Sequence, residues 1–251
     1  MRKRKIVLVA VFFSLFTIKA FSATIEANVN FNRYSGKSMH LGFGFSFTEM
    51  INDEMIFSVT ADLPYHEYNT VEARLDYIIA QQVSFWLGGI YNYRWGLNVS
   101  GLTFGLGYQT PTQSFYIAAE GTYFFEMLDR FDSPNFDVMF RLGWSKTNFN
   151  TYFQYRHEEF TGAGIVHRRL DFIDFYVKMM STVTSVYASL DFSLCNDFSQ
   201  FNVGNFKFKG RLQLGLQDEM GTEYFFGAEY DQTISDADTA FGIFVGTKLS
   251  F

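Results

Sequence analysis

Residues 39–48 read Met-His-Leu-Gly-Phe-Gly-Phe-Ser-Phe-Thr, and the alternation in this stretch decides the fold. Met39, Leu41, Phe43, Phe45 and Phe47 share one parity, while His40, Gly42, Gly44, Ser46 and Thr48 share the other. Side chains of a β-strand point alternately to the two faces of a sheet, so this is a strand with one wholly apolar face and one polar face. Roughly ten residues is the length that a tilted strand needs to cross a bilayer.

Outward from this stretch, the period of two continues almost unbroken. Strand 1 (24–33) sets Ile25, Ala27, Val29 and Phe31 against Glu26, Asn28, Asn30 and Asn32. Strand 4 (71–80) sets Val71, Ala73, Leu75, Tyr77 and Ile79 against Glu72, Arg74 and Asp76. Similar segments fall at 54–63, 83–94, 101–109, 115–126, 136–144, 149–157, 185–195, 205–217, 223–231 and 240–251. In these thirteen segments the apolar parity carries no charge, as a lipid-facing surface requires, because a charge there costs about 2–4 kcal/mol at the bilayer midplane. Arginine is therefore expected to be costly at Leu106 or Val59 and tolerated at Thr103 or Ser58. Strand 10 (about 169–179) breaks the rule: Ile173, Phe175, Val177 and Met179 keep one parity, but Leu170 and Phe172 keep the other. A β-bulge near Phe172 would reconcile them.

The connections alternate in length. Tight turns are expected at 50–53, 80–82, 110–113, 145–148, 180–184 and 218–222. Longer loops are expected at 64–70, 95–100, 127–135, 158–168, 196–204 and 231–239, with 34–37 short. Pro64, Pro111 and Pro134 all fall in these connections, where no ladder hydrogen bond is lost. The fold class is all-β: an antiparallel up-and-down transmembrane β-barrel over residues 23–251, with fourteen strands expected and twelve as the alternative.

Residues 1–22 read as a cleaved signal peptide: a basic start (Arg2, Lys3, Arg4, Lys5), a 13-residue apolar core from Ile6 to Ile18, and Ala20-Phe21-Ser22 before Ala23. Its loss takes the net charge from −6 to −11, because Arg2, Lys3, Arg4, Lys5 and Lys19 leave with it. An acidic chain of this kind is not built for nucleic acid, whose phosphates need a basic face. The single Cys195 precludes an internal disulfide. The 32 Phe, 15 Tyr and 3 Trp suit pleated surfaces and membrane interfaces.

The terminal Gly-Thr-Lys-Leu-Ser-Phe resembles the C-terminal signal of bacterial outer-membrane proteins. Strand number and short turns on one side are similar to monomeric fourteen-stranded porins. That resemblance implies a bacterial outer-membrane address, contact with outer-membrane lipid, and recognition of the strand ending at Phe251 by the barrel-assembly machinery. It also implies passage of small hydrophilic solutes. A transporter of apolar compounds and a non-conducting structural or adhesive barrel are the alternatives.

The polar parity supplies the candidate pore-lining residues: Glu72, Arg74, Asp76, Arg94, Glu120, Arg141, Arg156, Asp191, Lys207, Lys209, Arg211 and Glu229, with Asp137 and Lys248 beside them. A turn at Lys146-Thr147 would pair Asp137 with Arg156 and Arg141 with Tyr152. A turn centred on Met220 would pair Lys209 with Asp231 and Arg211 with Glu229, and a loop centred on Gln200 would put Asp191 beside Lys209. The basic run Lys207-Lys209-Arg211 reads either as an anion guide or as cross-strand pairs neutralised by flanking acids, the favoured reading. The polar-parity aromatics Trp86, Tyr116, Phe124, Tyr152, Tyr187, Phe225 and Phe244 are expected to fill space along the wall. No catalytic, metal-binding or cofactor motif is evident. His40, His66, His157 and His167 lack a flanking signature, and His66-Glu67 and His157-Glu158 are the two pairs from which a hydrolytic site would have to start. No enzyme activity or cofactor is expected.

Overall fold

The computed structural model describes residues 23–34, 39–65, 68–79, 81–94, 97–126, 135–162, 165–181, 183–198, 205–218, 221–232 and 239–250. The expected signal peptide, Pro134, His66, the loop centre Gln200 and Phe251 lie outside them. The strands are β1 (Ala23–Tyr34), β2 (Met39–Asn52), β3 (Met55–Tyr65), β4 (Tyr68–Ile79), β5 (Val83–Arg94), β6 (Leu97–Gln109) and β7 (Phe115–Glu126). They continue as β8 (Asn135–Lys146), β9 (Phe149–Gly162), β10 (Ile165–Met180), β11 (Val186–Asp197), β12 (Asn205–Gln217), β13 (Glu223–Asp231) and β14 (Ala240–Ser250).

Each strand pairs antiparallel with its sequence neighbours, and β1 pairs with β14, closing a barrel of fourteen strands. Followed once around the closed sheet, the register returns displaced by about fourteen residues. A stagger of that size gives strands tilted by roughly 37° and a backbone radius of ~12 Å.

The two faces separate as the alternation predicts. Leu106 is 63% exposed and Phe104 60% on the outer wall, whereas Trp86 is 4% and Tyr187 1% exposed within. A continuous outer apolar surface of this size needs an apolar surrounding, and closure leaves no strand edge unpaired.

Several sequence expectations are corrected. The register of β10 runs without interruption from Leu170 to Met180 against β11, so there is no bulge at Phe172. Leu170 and Phe172 instead point inward and bury themselves with Cys195. The segment 158–168 is mostly not a loop, because β9 and β10 extend to Gly162 and from Ile165, with a register shift between Ile165 and Arg168. Longer strands also shorten the expected loops at 64–70 and 95–100, and Pro64 lies inside β3, at the register shift between Asp62 and Tyr65. Thr103 is 1% exposed and hydrogen-bonds Thr122 at 3.0 Å, leaving no room for an arginine.

The tight turns sit at the end where β1 begins. Gln81 (φ 61°) and Gln113 (φ 54°) adopt left-handed backbone there. At the β12–β13 turn Gly221 takes φ 84°, which glycine tolerates without strain, while Thr222 N–H donates to Asp218 Oδ1 at 2.8 Å.

Candidate functional site

The inner wall is built row by row from register partners. On β4–β7, Arg74 pairs with Asp76 and reaches Glu120 at 3.4 Å. Its guanidinium stands 4.2 Å above the Trp86 ring, whose Nε1 donates to Glu120 at 2.8 Å. Glu72 belongs to the same wall.

A second network crosses β8–β11. Arg141 Nε donates to Gln154 at 2.8 Å, and Gln154 Nε2 donates to Asp174 at 2.7 Å. Ser193 also donates to Asp174, and Arg156 pairs with Glu158 and with Asp174 (3.6 Å) while lying 4.0 Å above Phe172. Asp174 is buried, and a buried carboxylate survives only with such partners.

The third group carries the basic run. Lys207 reaches Asp197 at 2.9 Å, and Lys209 reaches Glu229 at 3.4 Å and Asp231 at 3.3 Å. Arg211 stands 3.9 Å from Glu229 and covers the Phe244 ring at 3.9 Å. All three cations of the run therefore have acids beside them. The Lys209–Asp231 and Arg211–Glu229 pairing read from the Met220 turn is found.

Two other pairings are shifted by two residues. The β8–β9 turn is Thr147-Asn148, which places Asp137 opposite Glu158, Arg156 opposite Met139 and Arg141 opposite Gln154. On β11, Asp191 sits opposite Arg211, and Ser193 opposite Lys209. Asp191, Glu26, Asp62 and Glu72 form no ion pair with any described residue; the first three line a cavity of about 430 Å³ with Lys209, Arg211 and Glu229. The side chain of Arg94 lies outside the described residues.

Parity reading missed Lys178 and Asp174, hidden by the ambiguity of strand 10, and also Glu223, Asp197 and Asp62. Lys178 Nζ donates to Glu223 at 3.1 Å and stands 3.9 Å above the Tyr187 ring.

The inner aromatics lie flat on the wall. A Cβ placed on Gly105 would meet the Trp86 ring, one on Gly143 the Tyr116 ring, one on Gly215 the Tyr187 ring, and one on Gly246 the Phe225 ring. Glycine on the neighbouring strand is what lets each ring lie down.

His157 belongs to β9 and projects from the outer wall. Its Nδ1 is 2.7 Å from Asp171 and its Nε2 3.7 Å from Glu159, so carboxylates occupy both ring nitrogens. Glu158 points the other way, into the barrel, and the His157-Glu158 pair does not form. Among the described residues no group of three or more His, Cys, Asp or Glu is placed to hold a metal ion.

The closed antiparallel barrel, apolar outside and charged inside, is similar in fold to solved outer-membrane porins and channels. The fold matches the NanC porin at 8% identity, over 89% of this chain and 98% of that one, with a TM-score of 0.52. It matches the outer membrane channel DcaP of Acinetobacter baumannii at 7% identity, over 92% and 96% of the two chains, with a TM-score of 0.57. Pseudomonas aeruginosa OccK11 (OpdR) matches at 7% identity, over 92% and 95%, with a TM-score of 0.52. At these identities the likeness is one of fold. No family model and no curated protein matches the sequence.

Proposed function

We propose that the protein is an outer-membrane channel for passive diffusion of small hydrophilic solutes, delivered there by the leader at residues 1–22. One observation carries the reading: a closed sheet presents apolar side chains outward and charged side chains inward around a cavity of about 430 Å³. Fourteen strands lie between small barrels filled by their own side chains and sixteen-stranded barrels with aqueous channels. The residues given the pore-lining role are Glu72, Arg74, Asp76, Glu120, Arg141, Arg156, Asp191, Lys207, Lys209, Arg211 and Glu229, and charged walls of this kind govern which ions enter. Planar-bilayer recording of the refolded mature barrel is the test. Discrete ohmic steps are expected, and a folded barrel that passes no current rejects the channel reading.

A further inference from the structure

Two places on the inner wall carry the same four-strand arrangement. On β4–β7 the order is a cation (Arg74), an aromatic ring (Trp86), a glycine beneath that ring (Gly105) and a carboxylate (Glu120). On β10–β13 it is Lys178, Tyr187, Gly215 and Glu223. In both, the ring occupies the space above the glycine, the cation covers the ring, and an ion pair joins strands three positions apart. The two sets stand on nearly opposite walls, staggered in height. Arg74 is five residues from the end of β4, and Lys178 is two from the end of β10.

Neighbouring strands are ~4.8 Å apart, so each bridge spans roughly 14 Å of wall. It cannot do so by hugging the backbone, because the ring lies between. The cation stands 4.2 Å above the ring in one case and 3.9 Å in the other, and the ring already rests on the glycine. Each cation is therefore raised two side-chain thicknesses, about 7–8 Å, from a wall of ~12 Å radius.

We infer that these two bridged rings are constrictions of the lumen, and that Lys178–Glu223 and Arg74–Glu120 limit the size of solute that passes. This rests on the channel reading. Each bridge joins its own cation to its own carboxylate, so its first effect is on width, with the sign of the passing charge secondary.

The test is conductance together with exclusion of neutral polymers of graded size, measured on full-length mature barrels whose folding is checked by heat-modifiable gel migration. Lys178→Ala and Glu223→Ala should each raise conductance and admit larger polymers. The exchange Lys178→Glu with Glu223→Lys should restore the parental cut-off, because the bridge re-forms with its polarity reversed. Arg74→Ala supplies an independent measurement at the other constriction. A conducting parent whose cut-off is unmoved by these substitutions overturns the constriction assignment and leaves the channel reading intact. A folded parent that passes no current overturns both.

Discussion

Gly105 has no side chain because the Trp86 ring fills the place where one would stand. Gly210 is its counterpart on the outer wall, where a Cβ would meet nothing within 4 Å. Gly105→Val should therefore lift Trp86 off the wall and destabilise the barrel by about 1–3 kcal/mol. Gly210→Ala should stay within about 0.5 kcal/mol. Urea unfolding in lipid vesicles compares the two. That Trp86 and Tyr187 face inward is readable from parity alone. That they lie flat is not, because the receiving glycine sits on another strand and its identity depends on the register between hairpins.

Register is the property of the strand pair, and it is where reading by alternation loses precision. Placing the β8–β9 turn one residue early moves every partner by two and puts Arg156 opposite Asp137, whereas its partner in the structure is Met139. The error preserves facing, since two residues is one full pleat period. For β10 the difficulty was different. Leu170 and Phe172 are apolar yet inward, because the lumen wall at that height holds a small core with Cys195 and Phe172 serves as the platform for Arg156. An apolar residue on the polar parity is thus a packing feature, and no bulge is needed. Facing still predicts mutational cost. Leu106→Arg, outward on β6 and three residues from its end, should cost up to the ~2–4 kcal/mol of a midplane site, and Ser58→Arg, inward, much less. Equal losses in vesicle unfolding would contradict the orientation of both strands.

The whole barrel is acidic within, and its acids differ in kind. Glu229, Asp231, Asp197 and Glu120 are held by cations, whereas Glu26, Asp62 and Asp191 line the cavity without an ion pair to any described residue. The basic run therefore offers little free positive charge, and a mild cation preference is expected. Asp62→Asn with Asp191→Asn should move the reversal potential in a salt gradient toward anions. An unchanged potential would show that these two carboxylates do not face the ion path. The strand count and the charged interior were legible in the sequence, because both follow from period two and from turn signals between the strands. The partners of individual charges were not, since they depend on side chains that reach across three strands.

Closure has a further consequence. The seam is formed by the first and last strands of the chain, with Thr24 opposite Ser250 and Tyr34 opposite Ala240. Until β14 exists, β1 has a row of backbone donors and acceptors with no partner, and hydrocarbon offers none. In the closed sheet every strand has two partners, and the β1–β14 seam supplies the last of them. The eleven residues of β14 thus decide whether the other thirteen strands form a closed sheet or an open one.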